Sequence, residues 1–147
     1  MQHHAAKEIF MQDEVRTVMI EGYASIFHEP DQLKDVMMPG AFSIDKIIGI
    51  PVLWQHYPTT PMGRVVVAAE DKLGLRVTLE LCMETQIGQE AFKLIQCGSL
   101  TGLSIGYTAL KSVRGVGDVR RVIHKVALKE ISIVTFPAHA KARIFKK

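Results

Sequence analysis

Cysteine is nearly absent from this chain: its 147 residues include two, Cys82 and Cys97. Two thiols make no disulfide framework and no C-x-x-C pair, so a reducing, intracellular compartment is expected. Long apolar runs are also missing. None approaches the roughly 18 residues that a membrane span needs. The opening stretch, MQHHAAKEIFMQDEV, has no apolar region of the signal-peptide kind. Charge of one sign is not in large excess either. The net charge is +3 with both signs interspersed, which makes no electrostatic case for nucleic-acid binding. The most basic stretch, KSVRGVGDVRR, holds two glycines and reads first as a loop. Repeats, low-complexity segments and linkers are lacking. So is H-E-x-x-H or any comparable ligand cluster, and neither a metal nor another cofactor is expected.

What is present is a chain with 48% apolar residues, enough for one domain with its own core. The expected organisation is a flexible segment over residues 1–15 and one domain over 16–147. Most of that domain reads as strands. In RTVMIEGYASIF, Val18, Ile20, Gly22, Ala24 and Ile26 alternate onto one face. GRVVVAAED and LGLRVTLELCM pair as a hairpin turning at Asp71 and Lys72, with Leu73, Leu75, Val77, Leu79 and Leu81 on one face. Short strands are also read in IPVLWQH, TGLSIGYTAL, DVRRVIHKVAL and KEISIVTF. One helix stands out in TQIGQEAFKLIQCG. It has Ile87, Ala91 and Ile95 at helical spacing, Thr85 as N-cap and Gly98 just past its end. A short helical pattern surrounds Phe42, Ile47 and Ile48, and the closing FPAHAKARIF allows a short terminal helix. The fold class is mainly β with helices, a closed or nearly closed β-barrel core with one or two flanking helices.

The stretch GSLTGLSIGY satisfies G-x-S-x-G around Ser104. That pattern usually marks a strand turning sharply into a helix. Here the residues after Ser104 continue a strand and the helix comes before it, so the elbow is rejected. On a strand, Gly102, Ser104, Gly106 and Thr108 share a face, and glycine there marks close approach by another backbone or a ligand. Two readings stay open at this point. The face takes a substrate peptide along Gly102 and Gly106, or it is a small-residue face packed under another element. A serine nucleophile also needs a base. His56 ends a strand before the irregular loop YPTTPMG, where catalytic groups tend to sit. His124 lies within a strand, where histidine is usually structural.

The segments EGYASIF, DVMMPGAF, VLWQH followed by PMGRV, GLSIGY and KEISIVTFPAHAKARI occur in that order. Together they resemble the motif series of the prohead maturation proteases of tailed phages, a family related in fold to the herpesvirus capsid-maturation proteases. The resemblance runs from about residue 16 to residue 144. It implies a herpesvirus-protease-like barrel and a serine endopeptidase. By the matching motifs it implies Ser104 as nucleophile and His56 as general base. The implied substrates are capsid and scaffold protein segments, and self-cleavage and a homo-oligomer are compatible with it. The implied place of action is the bacterial host cytoplasm, inside the assembling prohead, with no membrane or nucleic-acid partner.

A base needs a group that holds its tautomer. Glu130 is the choice, because it interrupts an otherwise apolar strand and a carboxylate there is costly without a partner. Asp35 and His124 are rivals, the latter because the herpesvirus relatives use a second histidine. The loop KSVRGVGD is a candidate source of oxyanion-binding N–H groups. The alternative function is a catalytically silent barrel of the same fold, acting as a scaffold or interaction module.

Overall fold

The computed structural model describes residues 15–146, so nearly all of the expected flexible segment, residues 1–14, lies outside the described residues. The elements are β1 (Thr17–Ile26), β2 (Asp35–Met37), a 3-10 turn (Ile44–Lys46), β3 (Pro51–Trp54), β4 (Pro61–Glu70), β5 (Gly74–Cys82), α1 (Gln86–Gln96), β6 (Gly102–Arg114) and β7 (Arg121–Val134). The strands form one sheet in the order β1-β5-β4-β3-β7-β2, with β6 paired to β7.

Alternation decides which residues face inward. In β5, Leu75, Val77, Leu79 and Leu81 are each at most 1% exposed, while Arg76 faces out. Removing each leucine from water is worth about 1.5–3 kcal/mol. The same register explains one departure from expectation. Leu73 is 61% exposed because it belongs to the turn, where Asp71 Oδ1 accepts from its N–H and from that of Gly74. β1 buries Ile20 and Ala24 in the core as expected, but a bulge between Tyr23 and Ser25 shifts the register so that Ser25 opposes Leu75, and Ile26, though buried, opposes Gly74 on the other face.

Helix α1 begins and ends as its sequence demands. Thr85 Oγ1 accepts from Gly88 N at 3.0 Å, filling one of the orphan donors of the first turn. Gly98, at φ +85°, turns the chain away. Ala91 is fully buried against the sheet, and Ile87 and Ile95 pack beside it.

The C-terminal segment is extended, not helical. Ile144 bridges Gly22 of β1, and Arg143 bridges Gly102 of β6. Tyr23 N–H donates to Arg143 O and Phe145 N–H to Glu21 O on one side; Leu103 N–H donates to Ala142 O and Ile144 N–H to Thr101 O on the other. A helix would leave these edge groups of β1 and β6 without partners. The segment therefore closes the curl of the sheet between its first strand and β6. Gly22 permits the crossing, since a Cβ there would stand 2.4 Å from Arg143 O.

β7 organises the rest. It pairs antiparallel with β6 along nearly its whole length, parallel with β2 at its start, and parallel with β3 at Ile131–Ile133. It thus brings together two strands from the first half of the chain and the strand carrying Ser104.

Candidate active site

The site follows from the register of β6 on β7. Gly102 opposes Val134, Ser104 opposes Ser132 and Gly106 opposes Glu130. Directly opposed residues share a face, so Ser104, Ser132 and Glu130 project from the same side. Just past Gly106 the register slips: Tyr107 opposes Leu128, and Lys129 is the extra residue of a bulge. Bulges re-aim neighbouring side chains, and this one adjoins Glu130.

His56 arrives from β3. Trp54 still pairs with Ile133, and Gln55 N–H donates to Ile133 O. Then the chain leaves the sheet through two consecutive left-handed residues, Gln55 (φ 51°) and His56 (φ 65°). Such a conformation costs a non-glycine residue roughly 1 kcal/mol or more. Side-chain bonds hold it. Gln55 Nε2 donates to Thr135 Oγ1 at 2.7 Å, Thr135 N–H donates to Gln55 Oε1 at 3.1 Å, and His56 N–H donates to Ser132 Oγ at 3.0 Å.

The turn sets the imidazole against Glu130, with His56 Nδ1 2.7 Å from Glu130 Oε2. The Glu130 side chain is 13% exposed and that of His56 43%. The hydrogen bond to Glu130 holds the His56 pKa above its ordinary value, against a smaller opposing effect of partial burial. With Nδ1 engaged, Nε2 is the nitrogen left for a substrate proton. Ser104, 6% exposed, and His56 line one cavity of about 230 Å³, walled by Leu103, Ile105 and Ile123 among others. The hydrogen bond recorded for the imidazole is to Glu130, and not to Ser104.

The rival third residues lie elsewhere. Asp35 also lines the cavity, but its carboxylate is taken by Arg120 (Nη2, 2.5 Å) and Arg121 (Nη2, 3.1 Å). Burial pushes its pKa up, and the two guanidiniums together outweigh that and hold it below the ordinary carboxylate value. His124 stands half-buried on β7 outside the cavity lining. At the two glycines expected to lie along a substrate peptide, the space that a Cβ would take is already occupied. A Cβ on Gly106 would lie 2.3 Å from Glu130 Oε2, and one on Gly102 would lie 2.7 Å from Pro137 Cδ. Each bare face is filled by the chain itself. Half of the stretch KSVRGVGD, residues 111–114, belongs to β6, and the rest is the hairpin tip before β7. None of it lines the cavity that holds Ser104 and His56. Sequence reasoning missed Ser132. Its signal was present, because in KEISIV the polar residues Glu130 and Ser132 fall two apart on one face of an apolar strand.

A sequence model described as caudovirus prohead serine protease matches residues 6–147. The chain belongs to that family. Among its relatives, the prohead protease of Enterobacteria phage HK97 is 30% identical over 131 residues, 86% of this chain and 58% of that one. The capsid polyprotein of Pseudomonas phage PAJU2 is 33% identical over 140 residues, 91% of this chain and 20% of that one. This prohead-protease family member thus spans less than two thirds of either relative. Its fold is that of the herpesvirus proteases. The KSHV protease, solved in complex with a hexapeptide phosphonate inhibitor, superposes with a TM-score of 0.57 at 12% identity, covering 88% of this chain and 64% of that one. The varicella-zoster virus protease gives 0.50 at 10% identity over 88% and 63%. Among the described residues no cluster of His, Cys, Asp or Glu is placed to hold a metal ion, and no helix is long and apolar enough to cross a membrane.

Proposed function

We propose that the chain is a serine endopeptidase that cleaves scaffold and capsid protein segments during phage prohead maturation. The observation that carries this is the His56–Glu130 pair beside Ser104, in one cavity of a prohead-protease family member. In this reading Ser104 Oγ attacks the scissile carbonyl carbon while His56 Nε2 takes its proton. Glu130 accepts from Nδ1–H, holds the tautomer and stabilises the imidazolium. His56 then gives the proton to the leaving amine as the C–N bond breaks. Water, activated by the same imidazole, hydrolyses the acyl-enzyme. No metal or cofactor has a step in this reaction.

The substrate docks as an extended strand, so that main-chain bonds give affinity and pockets give specificity. Self-cleavage fits as well, because one relative, of which this chain matches 20%, is named a capsid polyprotein. The reaction takes place in the bacterial host, inside the assembling prohead, where a homo-oligomer of this chain is compatible with the reading. A catalytically silent barrel of the same fold would have no use for a carboxylate set against an imidazole beside a serine. A fluorophosphonate probe separates the two. It should label Ser104 of the wild type and fail on Ser104→Ala. Co-expression with the cognate capsid and scaffold proteins should give processing that Ser104→Ala lacks. No labelling and no processing by the wild type would leave the silent module.

A further inference from the structure

Ser132 sits between Ile131 and Ile133 on β7, and all three are fully buried. A buried hydroxyl in an apolar strand is costly unless its hydrogen bonds are made. Here both are made, and both lead to the site. Ser132 Oγ accepts from His56 N–H at 3.0 Å and donates to Glu130 Oε1 at 2.7 Å. Glu130 Oε2, in turn, meets His56 Nδ1 at 2.7 Å. One oxygen therefore closes a ring that runs from the His56 backbone, through Ser132 and the carboxylate, back to the His56 ring.

We propose that Ser132 is a positioning residue, whose single hydroxyl fixes both the backbone of His56 and the rotation of the Glu130 carboxylate. The inference rests on the roles given to His56 and Glu130 above. Two features favour positioning over mere packing. His56 is left-handed, so its N–H points out of the β3 ladder, and Ser132 Oγ is the acceptor it finds. The carboxylate would otherwise rotate about its last bond; with Oε1 held by Ser132, Oε2 is aimed at Nδ1. Ser132 itself is fully buried and touches no substrate. The Gln55–Thr135 pair holds the same turn from its other residue.

The test is the second-order rate at which a fluorophosphonate labels Ser104. Ser132→Ala should lower it 10- to 100-fold in protein that still melts cooperatively, at a lower temperature because two hydrogen bonds are lost. In a Glu130→Gln background the same substitution should cost at most about threefold, because the two residues act through one ring of bonds. Ser132→Cys keeps a donor and acceptor at the same place, slightly larger and much weaker, and it covers the case in which the alanine variant does not fold. It should lose rate in the same direction. A folded Ser132→Ala or Ser132→Cys that labels at the wild-type rate would overturn the proposal. So would losses that multiply fully with Glu130→Gln. A wild type that is not labelled at all would instead remove the protease reading, and this inference with it.

Discussion

Replacing Gly106 by alanine adds one methyl group at the most crowded point of the site. Its Cβ would lie 2.3 Å from Glu130 Oε2, 2.8 Å from Cδ and 2.9 Å from Cγ. Real Cβ atoms do not approach so closely, so something must move. The strand is held by its pairing with β7, whereas the glutamate side chain turns about three bonds. Glu130 therefore swings away, and both its bonds, to His56 and to Ser132, are lost. Removing the orienting group from a triad costs on the order of 10²–10⁴ in kcat. The backbone of Gly106 has no positive φ, so the fold loses only the displaced side chain's bonds, about 1–3 kcal/mol. The assay is the rate of Ser104 labelling or of peptide cleavage, beside a thermal melt. A well-folded Gly106→Ala with wild-type activity would refute the orienting role of Glu130. A loss that multiplied with that of Glu130→Gln would refute the stated cause.

Ser104→Ala should abolish cleavage while leaving the melt unchanged, and His56→Ala should lower kcat on the order of 10³ or more, with the double variant little worse than either; losses that multiply would mean the two act independently. Activity should rise with pH as His56 loses its proton, through a midpoint above the ordinary imidazole value of about 6.5, because Glu130 raises the pKa. Glu130→Gln should move that midpoint down, and a flat profile from pH 5 to 9 would exclude a histidine base. Asp35→Asn should destabilise the fold by about 1–3 kcal/mol without moving the pH midpoint of activity, since Asp35 pairs with Arg120 and Arg121 and not with His56. The folded-state pKa of Asp35 is depressed, so its contribution is present above the unfolded value of about 3.9 and lost as pH falls through the folded one. Unfolding curves of wild type and Asp35→Asn should therefore converge in acid; a constant gap down to pH 2 would contradict this.

β1, β5 and β6 were legible because each carries a period-two pattern over five or more residues, β5 most plainly, whereas the three-residue β2, Asp35–Met37, is too short to show one and was not read as a strand. The helix was legible because its cap, its stripe and its terminal glycine agree. The end of the chain was not. ARIF has no pattern long enough to choose between helix and strand, and what makes it extended is the pair of open edges on β1 and β6 waiting for it. Such a choice is made by tertiary contacts, and local propensity does not record it.

The site divides along the same line. Ser104 and His56 became candidates from a local context, a glycine-flanked strand and a strand end before a loop, but their roles rest on the resemblance to the prohead proteases. Glu130 could be singled out by its cost on an apolar strand. What single segments do not contain is register. The glycines beside Ser104 looked like room for a ligand, yet Gly106 is room for Glu130, a fact that exists only once residue 106 is known to face residue 130. Ser132 escaped notice for the same reason. On its own strand it is a small polar residue among isoleucines, and it acquires a role only where β3 ends in two left-handed residues and presents an N–H to it. The chemistry was readable as residue types, while its assembly depended on which strands lie side by side.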